Sequence, residues 1–359
     1  MPSDDNSQQT FKERVTEFWL WYEGVAQSFF DTIEEGNCGD LSEETSGICS
    51  RLFPGFDWVF GPGPEEIGGH SFTLSGNGNK HLQFLTEHWS SKAPDLPGWT
   101  FYPARQPGQF DPETGLVVDG NDFKFGKIWV TPEIDSEQEK IHLAAWHPLF
   151  EVVEDKKMMV LFLMLDEALG EYGVGSSLGA IEISKDQLAN SFPLSELPEF
   201  VKQTEADRGW KRYAPTECYT SYKGNPKETA YLRSDVFAGS TSHFRLVTEY
   251  IEAEGNYEDP LENTGAEFVF IALDSKILPK GNEIHFRAEI EDAIEESLRD
   301  SGQLIGGASG VDYSYIDLLL FDGDRSLAIV KEVLLEQNLP EGTGIHFFAQ
   351  GNEGRRIFL

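Results

Sequence analysis

The chain is poor in cations, in cysteine and in long apolar runs, and each shortage removes a class of function. Only 28 Lys and Arg stand against 62 Asp and Glu, a formal net charge of −34. A surface this negative repels phosphate backbones and anionic headgroups, which argues against a nucleic-acid partner and against a membrane. Cys38, Cys49 and Cys218 are too widely spaced for a C-x-x-C zinc or redox site, and a reducing compartment suits them. The most apolar run, Met158 to Leu165, is closed by Asp155-Lys156-Lys157 before it and Asp166-Glu167 after it. It falls far short of the ~20 residues a membrane helix needs. The polar opening MPSDDNSQQT has neither the basic nor the apolar region of a secretory signal. The expected location is the cytoplasm. HExxH, Walker and G-x-G-x-x-G signatures are missing too, so no metal or cofactor is expected from motif, and no reaction is read from one.

What is present suits a folded chain. Of 359 residues, 39% are hydrophobic and 13% aromatic, which is ample for a core and most simply two domains. Phe11 to Glu34 repeats apolar residues at spacings of three and four with an aromatic stripe, the pattern of an amphipathic helix. Helices are also expected at Ser42 to Leu52, Lys80 to Lys92 and Asp155 to Tyr172, the last with Met158, Phe162, Leu165, Leu169 and Tyr172 covering one face and Leu161 beside them. Strands are expected at Asp57 to Gly61, His70 to Leu74, Trp99 to Ala104, Phe123 to Pro132, Lys140 to Trp146 and Leu178 to Ser184. Residues 1–184 thus read as an α+β domain with an aromatic N-terminal helix, and 185–227, irregular and proline-bearing, as a covering segment and linker. Residues 228–359 open with a strand at Thr229 to Phe237 and a helix at Ser242 to Ala253. They then run β-α-β-β-α-β, the order of a ferredoxin-like unit. The fold class is α+β, helices packed on mostly antiparallel sheets.

The strings FWLWYEGVAQSFF (18–30), SFTLSGNGNKHL (71–82), APDLPGWTFYPARQP (93–107), LDEALGEYGV (165–174), RSDVFAGST (233–241) and GGASGVDYSYIDLLLFD (306–322) resemble a family of uncharacterised bacterial proteins of unknown function. The resemblance spans most of the chain. It implies a bacterial intracellular origin and carries no activity or site residue across.

Candidate sites are few, and each has a plain alternative. Gly76, Gly78 and Lys80, between a strand and a helix, suit an anion held by backbone N–H groups, or else a tight turn with an asparagine cap. Gly306, Gly307 and Gly310 suit close approach of a ligand, or an irregular hairpin. Asp166 falls at the edge of its helix's buried face, about 40° from Phe162 at ~100° per residue. It is either a general base of raised pKa or a structural partner of Arg105. Trp21 leaves the apolar stripe of the first helix and is the candidate interface residue, to a partner or to a second copy in a homo-oligomer.

Three functions follow. The first is a non-catalytic acidic interaction or regulatory protein, steered toward a basic protein partner. The second is a hydrolase-type enzyme in a cleft of the first domain, with Asp166 as base, Arg105 as anion clamp and His147 as acid. The third is a small-molecule sensor at Gly306 to Gly310.

Overall fold

Helix α1 (Phe11–Glu34) begins at a capping box, in which Thr10 accepts from the Glu13 N–H and Glu13 accepts from the Thr10 N–H. In this computed structural model, which describes residues 9–108, 111–227, 231–279, 281–337, 339, 343–351 and 355–359, its next free N–H groups are met from far along the chain. Phe11 N–H donates to the Gly265 carbonyl and Lys12 N–H to that of Phe321, both at 2.9 Å. Gly265 must be glycine there: its φ is +81°, and a Cβ would stand 2.5 Å from the Gln9 carbonyl oxygen. The first helix is therefore seated on the last third of the chain.

The described residues form an α+β fold with eight α-helices and four mostly antiparallel sheets. After α1 come α2 (Ser42–Leu52), β1 (Asp57–Pro62), β2 (His70–Ser75), α3 (Lys80–Ser91) and β3 (Trp99–Tyr102). Strands β1-β2-β3 make a small sheet in which β2 and β3 are parallel, joined through α3. Next is the hairpin β4 (Gly115–Val118) and β5 (Asn121–Lys124). The second sheet is ordered β8-β7-β6-β9, from β6 (Trp129–Asp135), β7 (Lys140–Trp146), β8 (Leu178–Ile183) and β9 (Phe192–Pro193). Helix α4 (Lys157–Ser177) carries the chain from β7 to its parallel neighbour β8, and α5 (Leu197–Arg208) follows β9.

The remainder builds a seven-stranded antiparallel sheet. Its elements are β10 (Thr220–Lys223), β11 (Val236–Thr241), α6 (Phe244–Glu252), β12 (Glu267–Asp274), α7 (Glu283–Leu298), β13 (Gly302–Gly310), β14 (Tyr313–Leu320), α8 (Gly323–Glu336), β15 (Gly344–Phe347) and β16 (Ile357–Phe358). The central order β13-β14-β12-β15 is the split βαβ arrangement expected of a ferredoxin-like unit, extended by β11 and β10 on one side and β16 on the other.

Strand alternation divides this sheet between two cores. Val269, Ile271, Ile316, Leu318 and Leu320 meet Ile290, Ile294, Val330 and Leu334 of α7 and α8. On the opposite face Phe268, Phe270, Tyr315 and Leu319 join Phe18, Tyr22, Phe72, Phe84 and Trp89 of α1, β2 and α3. A third cluster holds β5 to β8 with α4 and α5. The apolar clusters therefore run differently from the linear division at 184 and 227, because residues 11–101 bury their aromatics against the C-terminal sheet.

Several elements differ from expectation. The segment 185–227 contains α5, whose Pro198 occupies the first turn, where its missing N–H costs nothing, and whose end is marked by Gly209 in the left-handed region. The strand expected over Phe123 to Pro132 is two strands, broken by a 3₁₀ turn at Phe125–Lys127. The strand expected at Thr229 to Phe237 begins at Val236, and residues 229–230 lie outside the described residues. On α4 the buried face is Val160, Leu161, Met164, Leu165 and Ala168, while Met158 and Phe162 are exposed.

Candidate functional site

The glycine-rich turn after β2 is occupied by a carboxyl group of the chain itself, that of Glu171. Asn77 (φ 54°) and Gly78 (φ 73°) both take left-handed conformations. The turn aims the Gly78 N–H inward to Oε1 of Glu171, at 2.9 Å. Ser75 Oγ donates to Oε2 at 2.7 Å and Gln83 Nε2 to Oε1 at 2.9 Å. Glu171 is 2% exposed, so these donors stand in for water around a buried carboxylate. Asn79 caps α3 through the His81 N–H, which also fulfils the plainer reading of this turn. Lys80 reaches α4, where its Nζ occupies the space beside Gly175. Burial pulls its ammonium below the usual lysine range, against the attraction of Glu171.

Glu171 reaches this position because α4 is interrupted just before it. Gly170 has φ 72° and ψ 160°, outside the helical region, and a Cβ there would come 2.9 Å from Pro107 Cδ and 3.0 Å from the Arg105 carbonyl oxygen. The segment around Arg105 crosses the break, accepting the Glu171 N–H at 2.9 Å and returning the Gly108 N–H to the Glu167 carbonyl at 2.8 Å.

Arg105 and Asp166 meet at the same junction. Nη2 of Arg105 donates to Asn77 Oδ1 at 2.6 Å and to Asp57 Oδ2 at 3.1 Å, and Nη1 lies 3.8 Å from Asp166 Oδ2. Burial raises the Asp166 carboxyl to about 6, with repulsion from Glu171 adding to the rise and Arg105 opposing it. His147 is elsewhere. Its Nδ1 accepts the Leu149 N–H at 3.2 Å and its ring packs on Phe123 and Phe150, in the core of the second sheet. The fold thus assembles Asp166 with Arg105 and gives His147 a different set of neighbours.

Gly306, Gly307 and Gly310 lie within β13, paired with β11 on one side and β14 on the other. The space beside them is filled: Thr241 and the Ser240 carbonyl crowd Gly306, Glu291 faces Gly307, and the Asp235 carboxylate stands against Gly310. Asp235 holds the β13-β14 turn by accepting the N–H groups of Asp312 and Tyr313 and the hydroxyl of Tyr315. Beneath the sheet Arg233 makes a bidentate, fully buried pair with Asp317. Trp21 is half-buried among Phe18, Tyr22 and Phe29, with its indole N–H toward Glu44.

Two features escape sequence reasoning. Glu171 is one; its signal is a glycine inside an apolar helix followed at once by a carboxylate. The other is the outer face of α4, where Met158, Met159, Phe162 and Leu163 are 37%, 49%, 41% and 39% exposed. Spaced i, i+1, i+4 and i+5, they share one side of the helix. Three of the chain's four methionines lie on α4. The face is bordered by exposed Glu154, Asp155 and Glu167, while Lys156 and Lys157 are paired to Asp119 and Glu154.

Among the described residues, no group of three or more His, Cys, Asp or Glu side chains is arranged to hold a metal ion, and no helix is long and apolar enough to cross a membrane. No family model, curated protein or solved structure matches the chain.

Proposed function

We propose that this is a non-catalytic interaction protein of the bacterial cytoplasm that receives a basic amphipathic segment of a protein partner on the outer face of α4. One observation carries the reading: four large apolar side chains, two of them methionines, stand exposed side by side on a helix whose flanks are acidic. Methionine-rich surfaces adapt to the apolar stripe of a docked helix, and acidic rims select lysine and arginine on its other face. The net charge of −34 would draw such a segment in from a distance. By contrast the groups with chemistry to offer are spent internally, Arg105 on Asp57, Asn77 and Asp166, and Glu171 on the glycine turn. The cytoplasmic placement is supported by three free cysteines.

The test is fluorescence anisotropy of a labelled Lys- and Leu-rich amphipathic peptide against the full chain. Binding in about the micromolar range, weakened by salt and weakened about tenfold or more in Phe162→Asp, is expected. Equal binding by wild type and Phe162→Asp would overturn the reading. So would sedimentation in which the protein is a dimer that Phe162→Asp dissociates, since the face would then belong to a second copy.

A further inference from the structure

Helix α4 carries three methionines in two environments. Met158 and Met159 are 37% and 49% exposed on its outer face, whereas Met164 is 2% exposed and belongs to the cluster that holds β5 to β8. Spacing explains the difference: at ~100° per residue, Met164 lies about 120° round the helix from Met158 and about 140° from Met159. One helix therefore presents a pair of thioethers to solvent and shields a third by packing.

Of the four side chains on that face, only the methionines have redox chemistry. Hydrogen peroxide oxidises a thioether by transfer of one oxygen: a sulfur lone pair takes the outer oxygen, the O–O bond breaks, and the other oxygen leaves as water after a proton shift. Sulfur loses two electrons to become a sulfoxide, and the peroxide gains them. The step requires no catalytic side chain, so access decides which sulfur reacts. Peroxide is uncharged, and the net charge of −34 does not repel it.

Where the sulfur sits decides what oxidation does. A sulfoxide oxygen accepts hydrogen bonds; buried at Met164 it would find no donor, while on the outer face water supplies one and the fold is spared. Met158 and Met159 are two of the four exposed apolar residues there, beside Phe162 and Leu163. Their oxidation makes half of the stripe polar. A docked amphipathic helix then loses the apolar surface it was buried against.

We infer that Met158 and Met159 are a reversible oxidation site through which hydrogen peroxide turns the outer face of α4 from apolar to polar and releases the docked partner. The release rests on the docking reading of this face, and the site itself does not. The experiment treats the full chain with graded hydrogen peroxide and follows it by peptide mapping in a mass spectrometer, by retention on a phenyl column and by anisotropy with the Lys- and Leu-rich peptide. Sulfoxide is expected at Met158 and Met159 at least about fivefold faster than at Met164, with earlier elution from the column and peptide affinity about tenfold weaker. Methionine sulfoxide reductases should restore both properties. Dithiothreitol alone, which reverses mild oxidation of free thiols such as exposed Cys218, should not. The double variant Met158→Leu/Met159→Leu keeps the apolar volume, and it is expected to bind as reduced wild type does and to ignore peroxide.

The inference is overturned if Met164 oxidises as fast as the pair, or if the selectively oxidised chain elutes and binds as the reduced one does. It is overturned equally if the double variant loses binding to peroxide as wild type does, which would place the sensitivity in the thiols. A reduced chain that fails to bind the peptide would sink the docking reading and the partner's release with it, whereas the oxidation site would still stand or fall on the mapping and the column.

Discussion

The backbone N–H of Gly78 donates to Oε1 of Glu171 across 2.9 Å, joining the turn after β2 to the interrupted helix α4. A glutamine at 171 could keep its carbonyl oxygen on Gly78 and Gln83 only by turning its NH2 toward the Ser75 hydroxyl, which then loses the acceptor of its own proton. Glu171→Gln places an NH2 against one of these donors and leaves buried groups unsatisfied. The expected loss is about 2–3 kcal/mol of unfolding free energy at neutral pH, read from the urea midpoint. A change under ~0.5 kcal/mol, the range of ordinary surface substitutions, would mean the carboxylate is not what holds the turn.

Asp166 should respond to pH in the opposite sense from an ordinary ion pair. Its folded pKa of about 6 lies above its usual value of 3.8, so the folded chain binds the proton more tightly than the unfolded chain does. Its contribution is fully favourable below the unfolded value and is lost as pH rises through about 6. Asp166→Asn removes that penalty, and Arg105 keeps Asp57 and Asn77. A gain of about 1–2 kcal/mol at pH 7.5, after allowance for partial exposure, that vanishes near pH 4 is expected from paired urea titrations. A variant less stable than wild type at pH 7.5 would show the Arg105 contact to outweigh the burial.

Much of the architecture is legible in the sequence because its signals are local. The apolar spacing of α1 and the strand-helix order from β12 to β15 require no knowledge of distant residues. What escapes is whatever depends on the far end of the chain. Glu171 and Gly78 are joined by a contact between segments that look unrelated in sequence, and nothing local to α1 announces that Gly265 and Phe321 will cap it. Helix α4 is apolar around most of its circumference, so periodicity cannot choose between Phe162 and Leu161 as the buried residue, and packing against β7 and β8 decides. The hairpin β4-β5 is a different case: Asp119-Gly120, both at positive φ, is a strong turn signal, and its strands are too short to carry an alternation.

The buried histidines predict acid sensitivity. His81, His88, His243 and His346 are 4%, 7%, 2% and 7% exposed, and burial lowers the pKa of each, that of His88 to about 3. A lowered value leaves stability intact above the unfolded pKa of ~6.5 and removes it as pH falls toward the folded value. His88 stacks on Phe321 at 3.9 Å and its Nε2 has no partner, so His88→Phe keeps the ring contact and discards the titration. Between pH 7 and 4 the variant should lose about 2–3 kcal/mol less than wild type. Parallel stability curves for the two proteins would assign the acid lability to other groups.

Gly170 is the position on which the junction turns. Its φ of 72° and ψ of 160° belong to a region that side-chain-bearing residues rarely enter, and a Cβ would stand 2.9 Å from Pro107 and 3.0 Å from the Arg105 carbonyl. Gly170→Ala is expected to cost about 2–3 kcal/mol through strain and collision together. The cost should not add to that of Glu171→Gln. If the glycine's purpose is to swing Glu171 out of the helical path and into the turn at Gly78, moving the backbone already disturbs the hydrogen bonds that Gln would break. A double-mutant cycle should then return a coupling of about 1 kcal/mol or more, the double variant being less destabilised than the sum of the singles. Additive losses would separate the two residues, leaving Gly170 as a steric accommodation of the Arg105 carbonyl and Pro107 only.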